Sequence, residues 1–219
     1  TRMIVSLVSL TAMVGTPQRI LCLHGKGELG SAFLDTFSAL REATSSAAEW
    51  QAIDALHAIS GGRAWWLLAP GERSFTAESY IGDDVSIAAI DTAWKDGSFD
   101  GIMGFSQGAM LAAIIVARAA LAPDNQDIAR PRFALLYGSA WPKPWGPVLS
   151  RVHTEAAGRV PPSLHILGRA DRTNPPEQGA QVAACLGGTV QWHEGGHCVA
   201  AAVNEAVLDF VRNCPPSGP

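Results

Sequence analysis

Gly104, Ser106 and Gly108 spell Gly-x-Ser-x-Gly within FDGIMGFSQGAM, with a short apolar run before the serine and a long apolar run after it. A serine hydroxyl is a useful nucleophile only when it is exposed and a neighbouring base takes its proton. A sharp turn from strand to helix exposes it. That turn needs small residues on both sides of the serine, because strand and helix pass too closely there for side chains. The string alone is weak evidence; its position between an apolar strand pattern and a helix pattern gives it weight.

The base required by such a serine is an imidazole, and in this motif's context the expected chain order is serine, acid, histidine. Of the six histidines, His197 follows the last strand pattern in the Gly-Gly turn of HEGGH, which would let its ring reach Ser106. His193 falls inside that strand, and His57, His153 and His165 precede the acid. The acid is expected to be Asp171 in LGRADRTNPP, just past an apolar run and so at a strand's carboxyl end. Its carboxylate would fix the imidazole tautomer and stabilise the imidazolium formed during attack. The plainer reading of Asp171 is a turn aspartate capping the helix near Pro175; that of His197 is a surface-loop histidine. The oxyanion formed on attack would be held by backbone N–H groups of Gln107, after the nucleophile, and by position Lys26, in the HGKG loop after the first strand. Gly27 is the alternative donor there.

These residues need a scaffold that gathers strand ends. From Arg19 onward, short apolar runs at 20–23, 51–55, 101–104, 133–137, 164–167 and 190–193 read as strands, and unbroken apolar runs are what centrally placed parallel strands show. Helical patterns at 31–43, 83–94, 107–121, 175–186 and 199–211 fill the gaps. Phe33, Phe37 and Leu40 share one face of the first of these helices; Val85, Ile87, Ala88, Ile90 and Ala93 form a broader face on the second. The helix over 107–121 is apolar almost all round and is expected to be buried. The alternation predicts an α/β fold: a mostly parallel central sheet with helices on both faces. Residues 57–82 carry Trp65, Trp66, Phe75 and Tyr80 without a clean period. They read either as a lid or pocket wall or as a strand over 64–68 with a connecting loop.

At 219 residues, the chain fits one domain over 1–219 with an ample core. A net charge of −4 and the lack of a Lys/Arg cluster argue against a nucleic-acid partner, leaving a small-molecule substrate. Cys22, Cys185, Cys198 and Cys214 show no CxxC pairing, so no metal or redox site is expected and no cofactor is needed. Free thiols suggest a reducing, cytoplasmic setting. The extension 1–16 holds an apolar segment over 3–14 that resembles a leader's apolar region as much as a strand, and it is expected to be an added strand. It is too short for stable membrane insertion. Oligomeric state is not legible.

Taken in order, RILCLHG, DALH, DGIMGFSQGAM, GRAD and HEGGH resemble the successive motifs of the FSH family of α/β-fold serine hydrolases, over roughly 19–211. The resemblance implies an α/β-hydrolase fold, a Ser106–Asp171–His197 triad, and esterase or thioesterase activity on acyl or alkyl esters. Leu56 stands where the family's DAPH has proline, and Ala200 where proline often follows GGH. Both departures bear on the pocket wall and the substrate, not on the triad. Trp65, Trp66, Trp141 and Trp145 are expected as aromatic pocket walls for an acyl or alkyl chain, against the plainer reading that they complete the core or rim. Two rival functions are a non-catalytic ligand-binding protein on the same fold and a peptidase, which usually needs a larger cap than this chain has room for.

Overall fold

The computed structural model describes residues 16–214; the expectations for the N-terminal extension lie outside them. Six strands form one parallel sheet in the order β2-β1-β5-β6-β7-β8. They are β1 (Gln18–Leu23), β2 (Ala48–Ile53), β5 (Gly101–Phe105), β6 (Phe133–Tyr137), β7 (Ser163–Gly168) and β8 (Thr189–His193). The short β3 (His57–Ile59) and β4 (Gly62–Ala64) make a separate antiparallel hairpin.

Side-chain alternation sorts the core into two layers, since successive strand residues face opposite sides of a sheet. Leu21, Leu23, Ile102, Ala134 and Leu136 pack on one side. Covering them are α3 (Asp83–Gly97), α4 (Gln107–Leu121), α5 (Gly146–Glu155) and α6 (Pro176–Leu186), through residues such as Ile87, Ile114, Leu149 and Val182. Ile20, Cys22, Met103, Phe105, Leu135, Tyr137 and Ile166 face the other side. There they meet α1 (Gly30–Thr36), α2 (Ser38–Ala43) and α7 (Asn204–Asn213) through Phe33, Phe37, Leu40, Val207 and Val211. The all-round apolar character of 107–121 is explained: nearly every residue of α4 is buried.

The differences from expectation have local causes. The helix expected over 31–43 breaks at Phe37, with φ −127° and ψ 34°. Thr36 turns its hydroxyl back onto the Phe33 carbonyl at 2.7 Å, a bond that competes with regular helix. The break leaves the Phe37 ring 5.2 Å from Phe33 and 5.5 Å from Trp50. β2 begins three positions before the expected 51, at Ala48. It is an edge strand, so it alternates rather than running apolar. In α3, Ile87 and Ile90 are buried while Val85 and Ala88 face solvent. The helix α5 was not anticipated; its GPVLS start places a proline in the first turn, where the absent N–H costs nothing. Residues 199–211 divide into a 3₁₀ turn (Ala201–Val203) followed by α7.

One buried group makes stability pH-dependent. His165 on β7 is fully buried; its Nε2–H donates to the Gly187 carbonyl at 3.0 Å, while Nδ1 has no partner among the described residues. Burial pushes its pKa down from 6.5 to about 4. Between those values the unfolded chain takes up a proton that the folded chain refuses, so stability is full above the upper value and falls as the pH drops. The loss over the window is about 3 kcal/mol. Urea unfolding at pH 7 and pH 4.5 should show it, and His165→Leu should remove most of the difference.

Candidate active site

The sheet order reverses at β1: β2 lies on one side and β5 on the other. In open parallel sheets the crevice at such a switch point, at the strands' carboxyl ends, is where ligands bind. The loop after β1 (His24 to Leu29) and the turn after β5 (Ser106) both open into this crevice.

Ser106 sits between β5 and α4 with φ 55° and ψ −117°, a positive-φ conformation that side chains rarely adopt. It costs of order 1–3 kcal/mol and persists only where surroundings enforce it. The Ser106 amide donates to the Tyr137 carbonyl at 2.9 Å, and the Ser106 carbonyl accepts from Ala109 and Met110. Both glycines of the motif are sterically required. A Cβ on Gly104 would collide with the Gly108 carbonyl, and one on Gly108 with the carbonyls of Leu23 and His24. Gly104→Ala should therefore cost about 3 kcal/mol, at the upper end of overpacking penalties, and chemical denaturation would measure it.

His197 lies with Nε2 2.8 Å from Ser106 Oγ and Nδ1 2.6 Å from Asp171 Oδ2. With Nδ1–H donated to the carboxylate, Nε2 is left as acceptor for the serine hydroxyl. The other oxygen of Asp171 is also occupied: Oδ1 accepts the backbone N–H groups of Thr173 and Asn174 at 2.8 and 2.9 Å. The plainer turn role of Asp171 is thus present as well, on the opposite oxygen. The HEGGH loop is pinned beside the acid's loop: Arg169 N–H donates to the His193 carbonyl and Ala170 N–H to the Gly195 carbonyl, at 2.8 and 3.1 Å. Phe105 supports the imidazole, with ring centroids 4.8 Å apart. Gly138, at φ 53°, passes beneath it, where a Cβ would press on the ring.

Beside Ser106, the Gln107 N–H is the first of α4 and has no intrahelical acceptor. In the loop after β1, Gly25 N–H donates to the Glu28 carboxylate at 2.8 Å and Gly27 N–H to the Arg63 carbonyl at 2.8 Å. Gly27 is therefore committed elsewhere, which leaves Lys26 as the candidate donor in this loop. Glu28 and Asn174 are contributors that the sequence reading missed. Asn174 donates Nδ2–H to the Gly138 carbonyl at 2.7 Å, tying the acid's loop to the strand end beneath the histidine. The Asp-x-x-Asn spacing at 171–174 was the available signal.

A cavity of about 540 Å³ opens beside Ser106 and His197. Leu68, Phe75, Phe105 and Met110 give it apolar surface; Lys26, Glu72 and Arg73 bring charge to it. Residues 68 and 72–75 thus form part of its wall, and the Arg73 guanidinium donates to the Thr173 carbonyl in the acid's loop. The tryptophans expected there lie elsewhere. Trp65 and Trp66 are completely buried, Trp66 stacked on Tyr80 at 4.3 Å. Trp141 and Trp145 pack on the core beside α5, and the Trp145 indole donates to Asp83 at 2.8 Å. None of the four lines the cavity. Trp65 and Trp66 fill the core instead, and Trp141 and Trp145 are half-buried against it. Among the described residues, no group of three or more His, Cys, Asp or Glu side chains is arranged to hold a metal ion. No helix among them is long and apolar enough to cross a membrane.

Residues 13–205 match the family model described as serine hydrolase (FSH1). The chain belongs to this family. It is similar to esterase OVCA2 of Danio rerio, with 34% identity across 91% of this chain and 99% of the relative. Esterase C25G4.2 of Caenorhabditis elegans is 29% identical across 89% and 92%. Among solved structures, esterase PE8 superposes with a TM-score of 0.68 at 20% identity, covering 93% of this chain and 96% of that one. The Zea mays acyl-protein thioesterase 2 gives 0.64 at 22%, covering 90% and 93%. These likenesses show the α/β-hydrolase fold. The family member described here is an enzyme of the serine hydrolase, esterase-type class.

Proposed function

We propose that this serine hydrolase cleaves carboxylic esters of acyl or alkyl groups by two-step acyl transfer. The observation that carries the reading is the continuous hydrogen-bonded chain from Ser106 through His197 to Asp171, at 2.8 and 2.6 Å, beside an open cavity. In the first step Ser106 Oγ adds to the ester carbonyl as its proton passes to His197 Nε2. The oxyanion is received by the Gln107 and Lys26 amides. His197 then gives the proton to the departing alkoxide, leaving an acyl-serine. Water, deprotonated by the same imidazole, adds to that acyl group and releases the acid and the free serine. The residues perform this without a cofactor.

The apolar part of the cavity, Leu68, Phe75, Phe105 and Met110, supports a small-molecule substrate with an acyl chain. Rates on p-nitrophenyl esters and on matching acyl-thioesters from two to sixteen carbons, about the range such a cavity could hold, test the proposal. Hydrolysis of the oxygen esters with an optimum in chain length is expected. Faster turnover of the thioesters at every length would move the substrate class to thioesters, and no turnover of either would leave a ligand-binding role.

A further inference from the structure

Trp65 and Trp66 carry more hydrogen bonds to the catalytic loops than a packing role requires. The Trp65 indole N–H donates to the His24 carbonyl at 2.8 Å, and the Trp65 backbone N–H donates to Gln107 Oε1 at 2.9 Å. Gln107 Nε2 in turn donates to the Trp66 carbonyl at 3.0 Å. All these groups are buried. His24 and Gln107 belong to the two segments to which the proposed mechanism assigns the oxyanion amides: His24 lies two residues before Lys26, and Gln107 provides its own N–H.

His24 extends the same network. Its Nε2 accepts the Ala55 N–H at 3.0 Å, so the ring proton is on Nδ1, which donates to the Gly25 carbonyl at 2.7 Å. The strand end is thereby held on both its carbonyls, His24 by the indole and Gly25 by the imidazole. On the far side, the Trp65 carbonyl accepts the Ser86 hydroxyl of α3. The Trp65–Trp66 segment is thus anchored to a helix and grips both oxyanion segments at once.

We propose that Trp65 and the Gln107 side chain form a brace that sets the separation of the two oxyanion-hole amides, making both positioning residues. This rests on the acyl-transfer reading above. The physical reason is that oxyanion donors act through hydrogen bonds of about 2.7–3.1 Å to an atom that exists only transiently. The donors come from separate chain segments, so something other than the substrate must hold them at the right spacing. A side-chain amide with both its oxygen and its nitrogen bonded to one backbone segment fixes the start of α4. An indole from that same segment fixes the end of β1.

The test uses the full chain with Trp65→Phe, which removes the indole donor, Gln107→Met, which removes both side-chain bonds at similar length, and the double variant. Active sites are first titrated with a fluorophosphonate. Then kcat/KM per titrated site, its pH dependence, and inhibition by an aliphatic trifluoromethyl ketone are measured. That ketone adds Ser106 Oγ at its carbonyl carbon while His197 takes the proton, leaving an oxyanion that the two amides must bind. Each single variant is expected to lose about tenfold in kcat/KM per site, a fraction of the effect of deleting a donor outright. The ketone should weaken by the same factor, with the pH dependence unchanged. The double variant should lose less than the product of the two, because both belong to one brace.

Unchanged kcat/KM and ketone affinity per titrated site would overturn the proposal and leave Trp65 as core packing alone. A fall in kcat/KM without weakening of the ketone would also overturn it, since the effect would then lie away from the oxyanion. If Trp65→Phe does not fold, Gln107→Met decides by the same readings. Failure of the wild type to titrate is a different result: it removes the nucleophile, and the brace with it.

Discussion

Ser106→Ala is expected to lower kcat/KM on esters by on the order of 10⁴-fold or more while leaving the protein folded. In the proposed mechanism the serine supplies the atom that bonds to the substrate, and no other hydroxyl shares its contact with His197 Nε2 among the described residues. What survives such a deletion in a triad is the contribution of binding and the oxyanion hole. The same position allows a separation of stability from function. With φ 55° and ψ −117°, the backbone is in territory where glycine is at ease and serine is strained. Ser106→Gly should lose activity equally and yet gain about 1 kcal/mol in denaturant unfolding, a trade typical of strained functional residues. A less than hundredfold loss of activity in Ser106→Ala would contradict the assignment.

Asp171→Asn is expected to reduce kcat by on the order of 10⁴-fold with little change in fold. The direction follows from the other oxygen. Oδ1 accepts two backbone N–H groups, from Thr173 and Asn174, so the amide oxygen of the asparagine must stay there as acceptor. Its NH₂ then has to face His197 Nδ1. An N–H aimed at that nitrogen needs a lone pair, which forces the ring proton onto Nε2, where it blocks acceptance of the serine proton. A loss under tenfold, measured under saturating ester, would show that the carboxylate neither orients nor charges the histidine.

The parts of this molecule legible in its sequence are those where a single physical rule governs several residues. The buried parallel strands around β5 read as unbroken apolar runs because both faces are covered, and α4 was located residue for residue because it is apolar on every side. The edge strand β2 was misplaced since half of it faces away from the core. The Ser106, Asp171 and His197 positions were legible because the strand-turn-helix context of the serine motif implies an order of serine, acid, histidine, each after a strand; the structure brings all three together. The cavity wall was legible only as a region, 57–82, and not by the residues that reach it. Arg73, Ser74 and Phe75 reach it through an irregular stretch whose course depends on single contacts such as Arg73 to Thr173. The tryptophans misled because large aromatic rings suit a core as well as a pocket, and only the packing around Trp65 and Trp66 decides which.

Everything above turns on Ser106 being an activated nucleophile. Intact mass spectrometry of the full chain after exposure to an alkyl fluorophosphonate tests it most directly, since the reagent forms one Ser–O–P bond with loss of fluoride only at a serine whose proton a base removes. One adduct per wild-type chain is expected, none on Ser106→Ala, and strongly slowed labelling of Asp171→Asn. Folded wild type that takes up no adduct, or Ser106→Ala that labels as fast as wild type, would contradict it.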